Sequence, residues 1–95
     1  MSSTPETLTV EYEENGQILV QELDKVILSK GAWTTILFRY QELDSEKGAF
    51  GHDKYTIRRY KKSSGEYRMQ SKFNISSSDQ ARKIVEALSG WLDQA

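Results

Sequence analysis

The chain has 95 residues, with 37% hydrophobic, 28% charged and 11% aromatic side chains and no cysteine. That makes one domain with a small core and separates it from aromatic-poor disordered chains; the lack of cysteine excludes a disulfide framework, a thiol nucleophile and thiolate metal sites. The net charge of −1 hides two opposed regions, since residues 1–53 carry four basic against ten acidic side chains while residues 54–83 carry nine basic against Glu66 and Asp79, and nucleic-acid binding follows the local field rather than the total.

Met1 to Glu6 reads as a disordered tail, and residues 7–95 as a single domain: an acidic β-hairpin over 7–24, a basic sheet over 25–76 and a helix over 77–93. Leu8, Val10 and Tyr12 alternate with polar residues, as in a half-buried strand. Asn15-Gly16 favours a tight hairpin turn, because both positions tolerate positive φ. Ile18 to Leu23 supplies the return strand. Val26-Ile27-Leu28 is a short strand ended by Ser29-Lys30-Gly31. Trp33 to Tyr40 is β-branched and aromatic throughout, with Thr34, Ile36, Phe38 and Tyr40 on one face and Trp33, Thr35, Leu37 and Arg39 on the other. Asp44 to Asp53 is a polar loop. Tyr55 to Tyr60 and Tyr67 to Ile75 are two more strands around Ser63-Ser64-Gly65.

The helix announces itself at Ser77, with Gln80 three residues on and Asp79 in the first turn. Ala81, Ile84, Val85, Leu88, Trp91 and Leu92 then form one apolar stripe. Strands followed by a single helix predict an α+β fold, a twisted antiparallel sheet of four to five strands with the helix over one face. The stripe closes the core and forms part of a dimer interface. The other sheet face is left to meet water, a partner or a ligand.

Strict alternation puts Thr56, Arg58, Tyr60 and Lys62 on the same side as Arg68, Gln70 and Lys72, with Arg39 added from the neighbouring strand. Cations neutralise phosphates, and aromatic rings such as Tyr60, or Trp33 at the strand start, stack on unpaired bases. This is the candidate nucleic-acid-binding face. The bland alternative is a solvated sheet exterior, where Lys and Arg blunt edge pairing. By the same alternation Lys61 points to the apolar side unless the strand is bulged.

Tyr55-Thr56-Ile57-Arg58-Arg59-Tyr60, then Gly65-Glu66-Tyr67-Arg68, Lys72 and Ile75 to Gln80, resemble the C-terminal domain of the positive-cofactor-four transcriptional coactivator family. The likeness covers about residues 54–92 and is looser over 24–43. It implies a curved sheet followed by a helix, a homodimer, and binding of single-stranded or melted DNA; the residues themselves leave RNA open as a ligand. Arg58 matches the family's DNA-contacting strand arginine, and Lys72 a lysine of its basic pair. Lys61, Ser71 and Phe73 depart from the pattern, at positions where the family has a stacking tryptophan, an arginine and a glycine. The acidic hairpin has no counterpart.

No catalytic constellation is present: His52 is the only histidine and lacks a second ligand or a nucleophile. Gly48 to Gly51 lacks the Lys-Ser/Thr ending of a phosphate loop. The expected protein is a non-catalytic binder of single-stranded DNA, a transcription cofactor or strand protector, without metal, cofactor or small-molecule substrate. The alternative is a protein-interaction module whose acidic hairpin docks a basic partner. No run approaches the roughly 18–20 apolar residues of a membrane span, and no basic-apolar leader opens the chain. The expected location is the cytoplasm, or the nucleoid if the protein is bacterial.

Overall fold

Two turns that need left-handed backbone set the connectivity. Asn15 and Gly16 take φ of 52° and 79°, and Ser64 and Gly65 take 52° and 81°, so each reverses the chain within two residues. Between and around them the computed structural model, which describes residues 4–94, places β1 (Tyr12–Glu14), β2 (Gln17–Ser29), β3 (Trp33–Asp44), β4 (Ala49–Phe50), β5 (Lys54–Ser63), β6 (Glu66–Ile75) and α1 (Ser78–Asp93). The fold is α+β. One antiparallel sheet runs in the order β1-β2-β3-β5-β6, and β4 adds two residues to the end of β3. The segment read as a loop over 44–53 thus contains a short strand. The short strand expected at Val26 to Leu28 is the end of the 13-residue β2, whose register slips at Leu23 and Leu28. These bulges interrupt the period-2 pattern that would have marked it as one strand.

Residues directly opposite in a ladder share a face. Ile36 faces Ile27 and Arg58, Phe38 faces Thr56, and Thr34 faces Tyr60. This is the inner face, and it holds the core: Ile36, Phe38, Thr34 and Thr56 are essentially inaccessible. What covers it is the N-terminal segment. After a 3₁₀ turn at Pro5–Thr7, Leu8 and Val10 pack onto Ile36, Phe38 and Tyr60. The Lys25 ammonium donates to the carbonyls of Glu6 (2.6 Å) and Leu8 (2.7 Å), and the Thr9 hydroxyl donates to Glu22 (2.6 Å). Alternation in Leu8 to Tyr12 reports inward side chains correctly, yet only Tyr12 enters the ladder. Of the expected tail, Glu6 belongs to this cover, whereas Met1 to Ser3 lie outside the described residues.

The helix begins as expected. Ser77 Oγ accepts from the Gln80 backbone N–H at 3.0 Å, and the Gln80 carboxamide oxygen accepts from the Ser76 N–H at 2.7 Å. Its destination differs. None of its described residues is buried, and Val85, Leu88, Trp91 and Leu92 are 48–69% exposed. The helix meets the outer face only near its start, where Ala81, Arg82 and Val85 line an open groove with Tyr55. The core therefore lies on the face away from the helix, a correction to the expectation that the stripe closes it. The radius of gyration, 15.3 Å, exceeds the roughly 12 Å of a compact chain of this length.

Candidate nucleic-acid interface

Alternation holds from Thr56 to Tyr60 on β5, but one residue breaks it on β6. Arg59 pairs with Ser71 and the next residue, Tyr60, pairs with Met69, so Gln70 is an extra residue in the ladder. Beyond that bulge every β6 side chain changes face. Tyr67 and Met69 join the inner face and Arg68 goes to the outer one, opposite Lys61.

The seven residues expected on one face are consequently divided. Arg58, Tyr60, Lys62 and Lys72 share the inner face. Arg39 lies on the outer face, where its Nε stands 3.8 Å from the Asp53 carboxylate. Arg68 is also on the outer face, 3.8 Å from Glu66. Gln70 occupies the bulge. The inner face is closed over Ile36, Phe38 and Tyr60, where Leu8 and Val10 lie, while Lys62 and Lys72 remain exposed. Tyr60 is 5% exposed and packs in the core, so its ring is not presented for stacking. Burial is also the main reason its phenol pKa is raised; the Arg58 guanidinium works against that shift and the Glu22 carboxylate adds to it.

What the sheet does bring together is a corner. The Lys62 N–H donates to the Ala32 carbonyl at 2.8 Å and the Tyr67 hydroxyl to the Gly31 carbonyl at 3.1 Å, tying the β2–β3 turn to the β5–β6 hairpin. On the outer side of that corner stands Trp33, 42% exposed, with the Arg59 guanidinium 4.5 Å and the Lys61 ammonium 5.4 Å from its ring centroid. On the inner side the Lys62 ammonium lies 5.8 Å from the Tyr67 ring. These are cation–π distances. Arg59, Lys61 and Tyr67 were absent from the sequence-derived set, in which Trp33 figured only as an alternative stacking ring. The signal for Lys61 was legible, since strict alternation already sends it to the outer face; its partner Trp33 is fixed only by the β3–β5 register.

Most of the described cations outside ion pairs stand on β5 and β6, the others being Lys25, Lys47 and Arg82. Among the described residues, ion pairs join Lys30 to Glu6, Lys54 to Glu42 and Lys83 to Asp79, beside the two arginine contacts above. Arg58, Arg59, Lys61, Lys62 and Lys72 join none of these ion pairs. All five stand on β5 and β6, and Arg58 is directly opposite Lys72. Like charges in that relation repel and lower stability. His52 stays exposed in its loop, and no group of three His, Asp or Glu side chains converges for a metal among the described residues. The chain matches no family model, no characterised protein and no solved structure at a significant level.

Proposed function

We propose that this protein is a non-catalytic binder of single-stranded nucleic acid, with DNA the first ligand to test, working as a homodimer in transcription or strand protection. The observation that carries the reading is the exposed Trp33 ring flanked by the Arg59 and Lys61 cations, with Arg58, Lys62 and Lys72 on the other face of the same two strands, none of the five in an ion pair among the described residues. A sheet that tolerates like charges across a ladder carries an unfavourable term that a phosphate backbone removes. Flexible single strands can place a base on Trp33 while Arg59, Lys61 and Lys62 meet phosphates, a combination without strong sequence preference. The resemblance to the coactivator family points the same way, through Arg58 and Lys72.

The homodimer is supported by the apolar helix stripe and by Phe73 and Val26, each 53% exposed on the outer face. A second copy supplies the burial that this short chain does not achieve alone. The competing reading, an interaction module, has one observation in its favour: β1 is exposed along its length and carries Glu13 and Glu14.

Titration of labelled oligo-dT at two salt concentrations tests the proposal. Binding is expected to be salt-sensitive and tighter than to duplex. Arg59→Ala with Lys61→Ala should lower affinity and flatten the salt slope, by about 0.7 for each phosphate left without its cation. Trp33→Ala should weaken binding at every salt concentration with the slope unchanged. A parent protein that ignores oligonucleotides hands the question to the interaction-module reading.

A further inference from the structure

Residues 8–11 cross the inner face without a backbone hydrogen bond to any strand. Side chains hold them there. Leu8 and Val10 are buried on Ile36, Phe38 and Tyr60, Lys25 grips the carbonyls of Glu6 and Leu8, and Thr9 reaches Glu22. The same inner face carries a second cationic group. Arg58 is directly opposite Lys72, the Arg58 Nε is buried without a hydrogen-bond partner, and Tyr60 follows two residues along the same strand. A buried guanidinium nitrogen with no acceptor is costly. The Lys25 ammonium, by contrast, is satisfied by two backbone carbonyls, which phosphate oxygens can replace.

We propose that residues 6–10 form a displaceable strap which competes with an unpaired nucleic-acid strand for the Arg58, Tyr60 and Lys72 patch. This rests on the nucleic-acid reading above and adds a level of control to it. With the strap down, the strand has the Trp33 corner and the exposed Lys62 and Lys72 ammonium groups, but not the buried Tyr60 and Phe38 rings. With the strap lifted, a base takes the place of Leu8 and Val10 against Tyr60 and Phe38, and its phosphates meet Arg58, Lys72 and Lys25. The strap leaves without opening a ladder, because it belongs to none.

The chain has no cysteine, so a Thr9→Cys, Glu22→Cys variant offers two unique thiols that a short bis-reactive linker joins with the strap in place. Labelled oligo-dT is titrated against the full-length protein before and after linking, and against Leu8→Ser with Val10→Ser. Linking is expected to weaken binding about tenfold, the value of one stacked base, and to shorten the length of oligonucleotide occluded. The serine variant is expected to bind tighter than the parent and to occlude more. If linked and unlinked proteins bind alike while the parent binds well, the strap does not move and this inference fails while the corner stands. If no form binds, both fall. Should the serine variant fail to fold, the linked pair decides alone.

Discussion

The strap and the helix flank opposite faces of the same sheet, and their contributions run against their lengths. Residues 5–10 include one 3₁₀ turn, yet Leu8 and Val10 are among the most buried side chains, at 5% and 6% exposure. The helix has sixteen residues and a well-formed stripe, yet none of its described residues is buried. An apolar stripe states that a surface seeks cover, and it does not state whose. Most of the outer sheet face is in the same condition, with Val26 and Phe73 more than half exposed, although Ile75 next to the helix start is buried. Fully burying a side chain of the Leu or Phe class is worth about 1.5–3 kcal/mol, and four such side chains on the helix and two on the sheet are about half to two-thirds exposed; this is the surface that the proposed homodimer would cover.

The sharpest way to break this contrast is to truncate both sides. Phe38→Ala, beneath the strap, should cost about 3–5 kcal/mol in urea unfolding, and Leu8→Ala about 2–5 kcal/mol. Leu88→Ala on the helix should cost under ~1 kcal/mol in dilute solution, where it removes an already exposed side chain. At high concentration the same change, or Trp91→Ala, should lower the mass seen by light scattering toward one chain. A Leu88→Ala penalty equal to that of Leu8→Ala in the dilute protein would mean that the helix folds back onto its own sheet, and the contrast would be gone. Ser77→Ala is a smaller probe, expected to cost about 1 kcal/mol through loss of the helix cap. It should reduce helicity and dimerisation together while leaving the strap-covered core intact.

Much of this arrangement is legible in the amino-acid sequence. The turns at Asn15-Gly16 and Ser64-Gly65, the strands around them and the cap at Ser77 follow from local chemistry, and local chemistry is written in adjacent residues. The face shared by Arg58, Tyr60, Lys62 and Lys72 was legible too, because period-2 alternation holds along β5. Two things were not. A β-bulge is one residue in one strand, and nothing in Met69-Gln70-Ser71 announces it; that single insertion sends Arg68 to the other face and brings Tyr67 to this one. The second is which segment covers which face. Leu8 and Val10 show a buried face in their spacing, but their target is Ile36, Phe38 and Tyr60, which lie 26 or more residues away. Long-range pairing of that kind is decided by the whole fold, so the helix, with the stronger pattern, was the natural and incorrect candidate for closing the core.

The smallest expected effect tests the strap as a cover rather than as a packing element. Burial raises the Tyr60 pKa above its ordinary value near 10. Below about pH 10 the phenol is neutral folded or unfolded, and its contribution to stability is fully present. As the pH climbs past that point the unfolded chain ionises first, so stability falls until the folded-state pKa is reached. Tyr60→Phe keeps the ring and removes the titration, so it should change little at neutral pH and flatten the alkaline loss. Lys54, whose pKa is raised chiefly by its bond to Glu42, adds its own alkaline loss, which the comparison of parent and Tyr60→Phe subtracts. In the Leu8→Ser, Val10→Ser protein the ring is wetter, and Tyr60→Phe should make less difference there. Equal alkaline limbs in the parent and Tyr60→Phe would mean that water already reaches the phenol beneath Leu8 and Val10, and that the strap stands open without any ligand.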